Sequence, residues 1–156
     1  MTNYWMLRTY GKHYDPWQGP ATVGMEEPWL VRPGDRRLMK NGDAAMLYLM
    51  NPATANGRKG KVIFAVGEIR TGWADAPDRG HQTPASAVRA YGARDARNAE
   101  TVTVRYTKIL ERPIPFLTMA NALLEVGRRP SIISNVSPIS AVIEEQDWQV
   151  IEALHR

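Results

Sequence analysis

Residues 61–71, Lys-Val-Ile-Phe-Ala-Val-Gly-Glu-Ile-Arg-Thr, restrict the possible folds more than any other stretch of this chain. β-Branched and aromatic side chains fit a pleated, half-buried surface, and the run has the length of one strand. A glycine, Gly67, sits in its interior. Interior glycines mark a bulge or a tight bend, the local device by which a sheet curls into a barrel. The preceding Ala-Ala-Met-Leu-Tyr-Leu-Met, Ala44–Met50, is apolar throughout and is expected as a strand covered on both faces. Residues 51–60 between them carry Asn, Pro and Gly and read as a turn or loop.

Around this pair the periodicity predicts further elements. Residues 4–8, Tyr-Trp-Met-Leu-Arg, are expected as a first strand, with Tyr4, Met6 and Arg8 on one face and Trp5 and Leu7 on the other. Thr9, Tyr10 and Gly11 then leave the sheet. Residues 11–28 hold Gly11, Pro16, Gly19, Pro20, Gly24 and Pro28 and read as irregular loop, although Tyr14 and Trp17 lie within them. Residues 33–40 are expected as one or two helical turns with Leu38 and Met39 inward, ended by Asn41-Gly42. Residues 101–110 read as a long strand with Val102, Val104, Tyr106 and Leu110 on one side, broken by Glu111-Arg112-Pro113-Ile114-Pro115. Phe116, Met119, Ala120, Leu123 and Leu124 share one face of a helix over Phe116–Glu125 that Gly127 stops. Residues 131–136 are expected as a last short strand before a turn at Ser137-Pro138. A helix over residues 144–154 follows, burying Trp148, Ile151 and Leu154.

About five strands interrupted by short helices make an α+β or barrel-like pattern. No βαβ alternation is present, which argues against a nucleotide-binding parallel sheet. A single domain over residues 1–156 is expected, because residues 74–100 have too few large apolar side chains to form a second core. They read as an insertion carrying an exposed helix over residues 85–97.

The residue inventory excludes much chemistry. There is no cysteine, hence no disulfide framework, thiolate metal site or cysteine nucleophile, in keeping with a reducing compartment. No run approaches the ~18 apolar residues of a spanning helix. Met1-Thr2-Asn3-Tyr4-Trp5 enters a strand pattern without the layout of a signal peptide, so a cytoplasmic protein with no membrane partner is expected. His13, His81 and His155 lack metal-ligand spacing, and neither a metal nor a cofactor is expected. Gly57-Arg58-Lys59-Gly60-Lys61 lacks the length and the Ser/Thr of a P-loop and reads as a hairpin tip. No G-x-S-x-G nucleophile elbow occurs. Glu68, inside the central strand, reads as a hydrogen-bonded structural carboxylate rather than a general base.

What remains is a recognition chemistry. Of five tryptophans, Trp17, Trp29 and Trp73 lie in or beside loops, near Arg32, Arg36, Arg37 and Arg70. Aromatic faces stack on bases, and arginine grips phosphate or a base edge in a planar, two-pronged fashion. The formal net charge of +4 is carried mostly by arginine. Two readings stay open: tryptophans that cap the ends of a small barrel, and tryptophans that wall a pocket for an extruded base.

The order of these features resembles the EVE domain, a PUA-like fold related to the YTH readers of methylated RNA. Tyr4-Trp5-Met6-Leu7-Arg8 is similar to the family's opening strand. Trp29 to Tyr48 is similar to its Trp, Arg, short helix, Gly-Asp and aromatic-ending strand. Phe64-Ala65-Val66-Gly67-Glu68-Ile69 resembles its central strand. Thr103-Val104-Arg105-Tyr106 with Leu110-Glu111-Arg112-Pro113-Ile114-Pro115 resembles its valine-rich strand and Arg-Pro segment. Ser134-Asn135-Val136-Ser137-Pro138, followed by a Glu- and Trp-containing helix, resembles its carboxyl-terminal signature. The chain departs at Thr9-Tyr10-Gly11, where the family has a Ser-Glu-Pro-like turn, and in residues 11–28 and 74–100.

The resemblance implies a PUA-like pseudo-barrel of about five or six strands with short flanking helices and a pocket at one end. It implies that Thr9, Tyr10, Trp29, Leu30, Arg32 and Ser134 line that pocket; the loop tryptophans Trp17 and Trp73 are expected there too, as aromatic walls, from their place beside arginines. Arg36, Arg37 and Arg70 are then expected on nucleic-acid backbone. The expected function is a non-enzymatic module that binds DNA or RNA carrying a modified, extruded base. Two alternatives are an ASCH-type hydrolase or nuclease on the same scaffold, using Lys12, Arg32, Lys40 or Glu68, and a protein-interaction domain of a restriction or toxin system.

Overall fold

The computed structural model describes residues 3–10, 22–50, 61–70, 100–129 and 140–155. Among these residues, six strands and three helices run in the order β1 (Tyr4–Tyr10), β2 (Glu26–Val31), α1 (Pro33–Leu38), β3 (Ala44–Met50), β4 (Lys61–Ile69), β5 (Glu100–Pro115), α2 (Phe116–Glu125), β6 (Ser140–Ile143) and α3 (Glu145–Ala153). The strands form one curled half-barrel sheet ordered β2-β5-β4-β3-β1-β6. All described pairs are antiparallel except β1 with β3, which run parallel from Tyr4↔Ala44 to Tyr10↔Met50.

The curl has local causes in β4. Opposite Leu47 and Tyr48 of β3, Phe64 is an extra residue, so Phe64 and Ala65 both face the interior. A second shift falls between Val66 and Gly67, where β5 takes an additional residue between Tyr106 and Lys108. Gly67 permits this close approach: a Cβ there would lie 2.5 Å from Val104 Cγ1 and 2.8 Å from the Arg105 carbonyl oxygen. Each bulge increases the local twist and bends the strand that carries it.

Each face of the sheet has its own core. Trp5, Leu7, Ala45, Leu47, Leu49, Phe64, Val102, Val104 and Tyr106 fill the concave side. Met6, Met46, Tyr48 and Ile63 face the other side, beneath Phe116, Met119 and Leu123 of α2 and Trp148 and Ile151 of α3. β3 is therefore buried on both faces, as an uninterrupted apolar run requires. Tyr4 meets Trp148 at 4.9 Å and Tyr48 meets Phe116 at 5.4 Å between ring centroids, each pair tilted as aromatic quadrupoles prefer. Gly127, at φ +76°, turns the chain out of α2, and its amide donates to the Leu124 carbonyl while Arg128 donates to Leu123.

Several expectations are corrected. β1 does not end at Arg8; Thr9 and Tyr10 stay in the ladder opposite Leu49 and Met50, because the parallel partner continues alongside. Residues 26–28 belong to β2 rather than to a loop. Among the described strands β2 is an edge, paired with β5, and an edge tolerates Pro28 because a missing amide there need not break a ladder. β5 is not broken at residues 111–115 but runs to Pro115. It passes from Ile109↔Ala65 to Ile114↔Ile63, so residues 110–113 bow out of the ladder and accommodate Pro113. The extra residue in β5 also moves Leu110 to the helix-covered face, away from Val102, Val104 and Tyr106. In α1, Met39 is buried but Leu38 is 59% exposed; the inward positions are Asp35 and Arg36. β6 at Ser140–Ile143 follows the segment where a last strand was expected. Leu124 and Leu154 lie at the outer margins of their helices, 42% and 38% exposed. The expected strand at 131–136 and the expected helix over 85–97 lie wholly outside the described residues.

Candidate functional site

Among the described strands the half-barrel leaves two edges, β2 and β6, and α1 lies between them. Pro33 opens α1 at a position where a missing amide costs no intrahelical bond. Just before it, the Arg32 amide donates to Ser140 Oγ at 2.9 Å across the seam. Ser140 Oγ donates in turn to Asp35 Oδ2 at 2.6 Å. The Asp35 carboxylate also receives the Arg32 guanidinium, Nε at 3.0 Å and Nη2 at 3.4 Å. Ser140 is wholly buried, whereas the Arg32 side chain is 54% exposed. Two buried side chains thus close the gap between the sheet edges and hold one exposed arginine over it.

Arg36, one turn further on, takes the opposite course. It is fully buried, and its Nε donates to the Thr101 carbonyl at 3.0 Å. Burial pushes the guanidinium below its ordinary pKa, and the nearby Glu100 charge opposes that shift. Expected on backbone phosphate, Arg36 instead ties α1 to the start of β5; a group without exposed surface presents nothing to a nucleic acid. Arg37 and Lys40 are exposed, and among the described residues neither enters an ion pair.

The Gly-Asp corner is structural. Asp43 accepts from the Trp5 indole at 3.0 Å and from the amides of Asn3 and Lys40 at 3.1 and 2.9 Å. The Ile69 amide donates to the Asp43 carbonyl and the Gly42 amide to the Ile69 carbonyl, which pins the corner to the end of β4. On the neighbouring strands Glu68 Oε1 accepts from Arg105 at 2.5 Å and Arg70 at 3.0 Å, and Glu26 lies 3.6 Å from Arg70. Glu68 is thus held as a bonded carboxylate. Arg70 is exposed, with its charge shared between two acids.

Trp29 and Leu30 are interior residues. Trp29 is 2% exposed and lies on Phe64 with centroids 6.1 Å apart and planes 25° from parallel; Leu30 is wholly buried. Both were expected as pocket lining; β2 turns these positions toward the concave core. Thr9 and Tyr10 are placed by their backbone in β1, while their side chains, like Lys12, Trp17, Trp73 and Ser134, lie outside the described residues. The structure therefore brings Arg32 and α1 together, while Arg70 lies at the end of β4 with its amide donating to the Thr103 carbonyl. Sequence reasoning missed Asp35 and Ser140. The i,i+3 spacing of Arg32 and Asp35 was a usable signal for the first; none in the sequence pointed to the second, which lies 105 positions away.

Among the described residues no group of three or more His, Asp or Glu side chains has a geometry for a metal ion, and no helix is long and apolar enough to cross a membrane. The described residues lining a groove of about 510 Å³ between residues 108–112 of β5 and Leu154-His155 include none of those expected to bind ligand.

A six-stranded curled half-barrel flanked by three short helices is the PUA-like arrangement. The EVE domain model matches residues 3–154, and the chain belongs to that family. Human THYN1, solved in complex with 5-methylcytosine-containing DNA, is similar in structure with a TM-score of 0.65 at 14% identity, over 99% of this chain and 98% of that one. Rpa0253 from Rhodopseudomonas palustris is similar with a TM-score of 0.58 at 18% identity, over 99% and 93% of the two chains. An ASCH protein from Zymomonas mobilis superposes with a TM-score of 0.51 at 10% identity, over 98% and 96%. No curated protein sequence matches the chain.

Proposed function

We propose that this EVE domain is a nucleic-acid-binding module for DNA carrying a modified base, acting as a reader and not as an enzyme. The observation that carries the reading is the full-length likeness of the fold to THYN1, which is known in complex with 5-methylcytosine DNA. Exposed Arg32, Arg37 and Lys40 along the seam support it, since guanidinium and ammonium groups on one surface supply the salt-sensitive grip on phosphate. The base itself enters a pocket walled by the side chains of Thr9, Tyr10, Trp17, Trp73 and Ser134, in the cytoplasm. A restriction system is the kind of partner that would use such a reader.

The test is a binding panel of modified and unmodified DNA and RNA oligonucleotides at low salt. Tighter binding to DNA with 5-methylcytosine or a related modified base, weakening as salt rises, is the expected result. Uniform absence of binding removes the reading. The second reading, a nuclease or hydrolase, draws on the likeness in fold to the ASCH protein. It requires turnover of an oligonucleotide that Lys40→Ala abolishes while binding persists.

A further inference from the structure

We propose that Asp35 and Ser140 are positioning residues that hold Arg32 as a preformed, two-pronged subsite for one phosphodiester of the bound nucleic acid. The proposal rests on the nucleic-acid reading above and deepens it. Both ends of Arg32 are tied to the same pair of buried side chains. Its amide is held by Ser140 Oγ, and its guanidinium by the Asp35 carboxylate that Ser140 itself donates to. Asp35 is 8% exposed and Ser140 wholly buried, so neither reaches a ligand directly.

The geometry also selects which edge of the guanidinium is offered. Asp35 occupies the side edge, through Nε and Nη2. The end edge, made of Nη1 and the second N–H of Nη2, forms no hydrogen bond among the described residues and belongs to a side chain that is 54% exposed. Two parallel N–H groups at that edge match two oxygens of a phosphodiester. A free arginine must give up its rotamer freedom on binding; here the clasp has already restricted it. The same carboxylate weakens attraction for an anion by its charge, so order and charge act in opposite directions on affinity.

That opposition makes the proposal testable with the full chain and a short DNA duplex carrying 5-methylcytosine. Removing the Asp35 charge by Asp35→Asn strengthens phosphate binding if only charge matters. If positioning matters, it weakens binding about three- to tenfold, the range expected for one newly mobile, rotamer-rich side chain. The decisive measurement is a double-mutant cycle of dissociation constants with Arg32→Ala. The expected result is weaker binding by Asp35→Asn in the native background and no further loss in the Arg32→Ala background. Unchanged or tighter binding by Asp35→Asn overturns the proposal, as does an equal loss in both backgrounds, which would mark a general structural effect. Should Asp35→Asn melt below the assay temperature, Ser140→Ala replaces it in the same cycle, since it removes the hydroxyl and leaves both charges. A native chain that binds no duplex removes the functional reading itself, whereas binding without coupling removes only the positioning role.

Discussion

The half-barrel is held together differently at its centre and at its seam. Between β4 and β5 the contact is a backbone ladder from Val62↔Pro115 to Ile69↔Val104, bent at two irregularities and brought close at Gly67. Between β2 and β6 the described structure joins the edges through Ser140 and Asp35, with the Arg32 amide as the one backbone group in the chain of bonds. A ladder spreads its stabilisation over many groups. A clasp concentrates it in a few, so each is costly to remove yet free to serve the exposed residue above it.

Three substitutions sharpen this contrast. Gly67→Val should have the largest effect, because its Cβ alone meets Val104 and the Arg105 carbonyl before the γ-carbons are counted. Overpacking of this kind costs about 3 kcal/mol, read as a lower urea midpoint with an unchanged slope; a midpoint equal to that of the native chain would show that the ladder yields. Ser140→Ala should cost less, about 1–2 kcal/mol, for a lost acceptor at the Arg32 amide and a lost donor to a buried carboxylate. If its stability matches the native protein, the seam is closed by something other than the clasp. Arg37→Ala should change stability by no more than about 0.5 kcal/mol, since its side chain is exposed and makes no ion pair among the described residues. On DNA it should weaken binding across sequences and flatten the log-affinity against log-salt slope by about 0.9. A slope equal to the native one would place Arg37 away from the bound backbone.

Much of the fold was legible because periodicity is a local property. The apolar run of β3 predicts a strand buried on both faces. The spacing of Phe116, Met119 and Leu123 predicts one buried helix face, and Gly67 predicts a bulge; the structure contains all three. The failures share a cause. Pro28 and Pro113 read as breakers, yet one lies on an edge strand and the other in a bow of β5 that leaves the ladder. β6 is only four residues long, too short to carry a pattern, and is a strand because β1 offers it an edge. Leu110 changes face because one extra residue reverses the alternation of everything after it.

The candidate site was legible in its residue types and less so in their placement. By itself the sequence determined a barrel-like sheet with short flanking helices, a supply of arginine around α1 and membership in the EVE domain family. Those follow from side-chain volume, periodicity and motif order. Tertiary structure alone decided that Arg36 is interior and Arg32 exposed, that Trp29 packs on Phe64, and that Ser140 meets Asp35. Helix phase gives relative directions for neighbouring arginines, but which direction is inward depends on where β5 and β6 lie. That placement is set by pairing between distant strands, so no local window contains it.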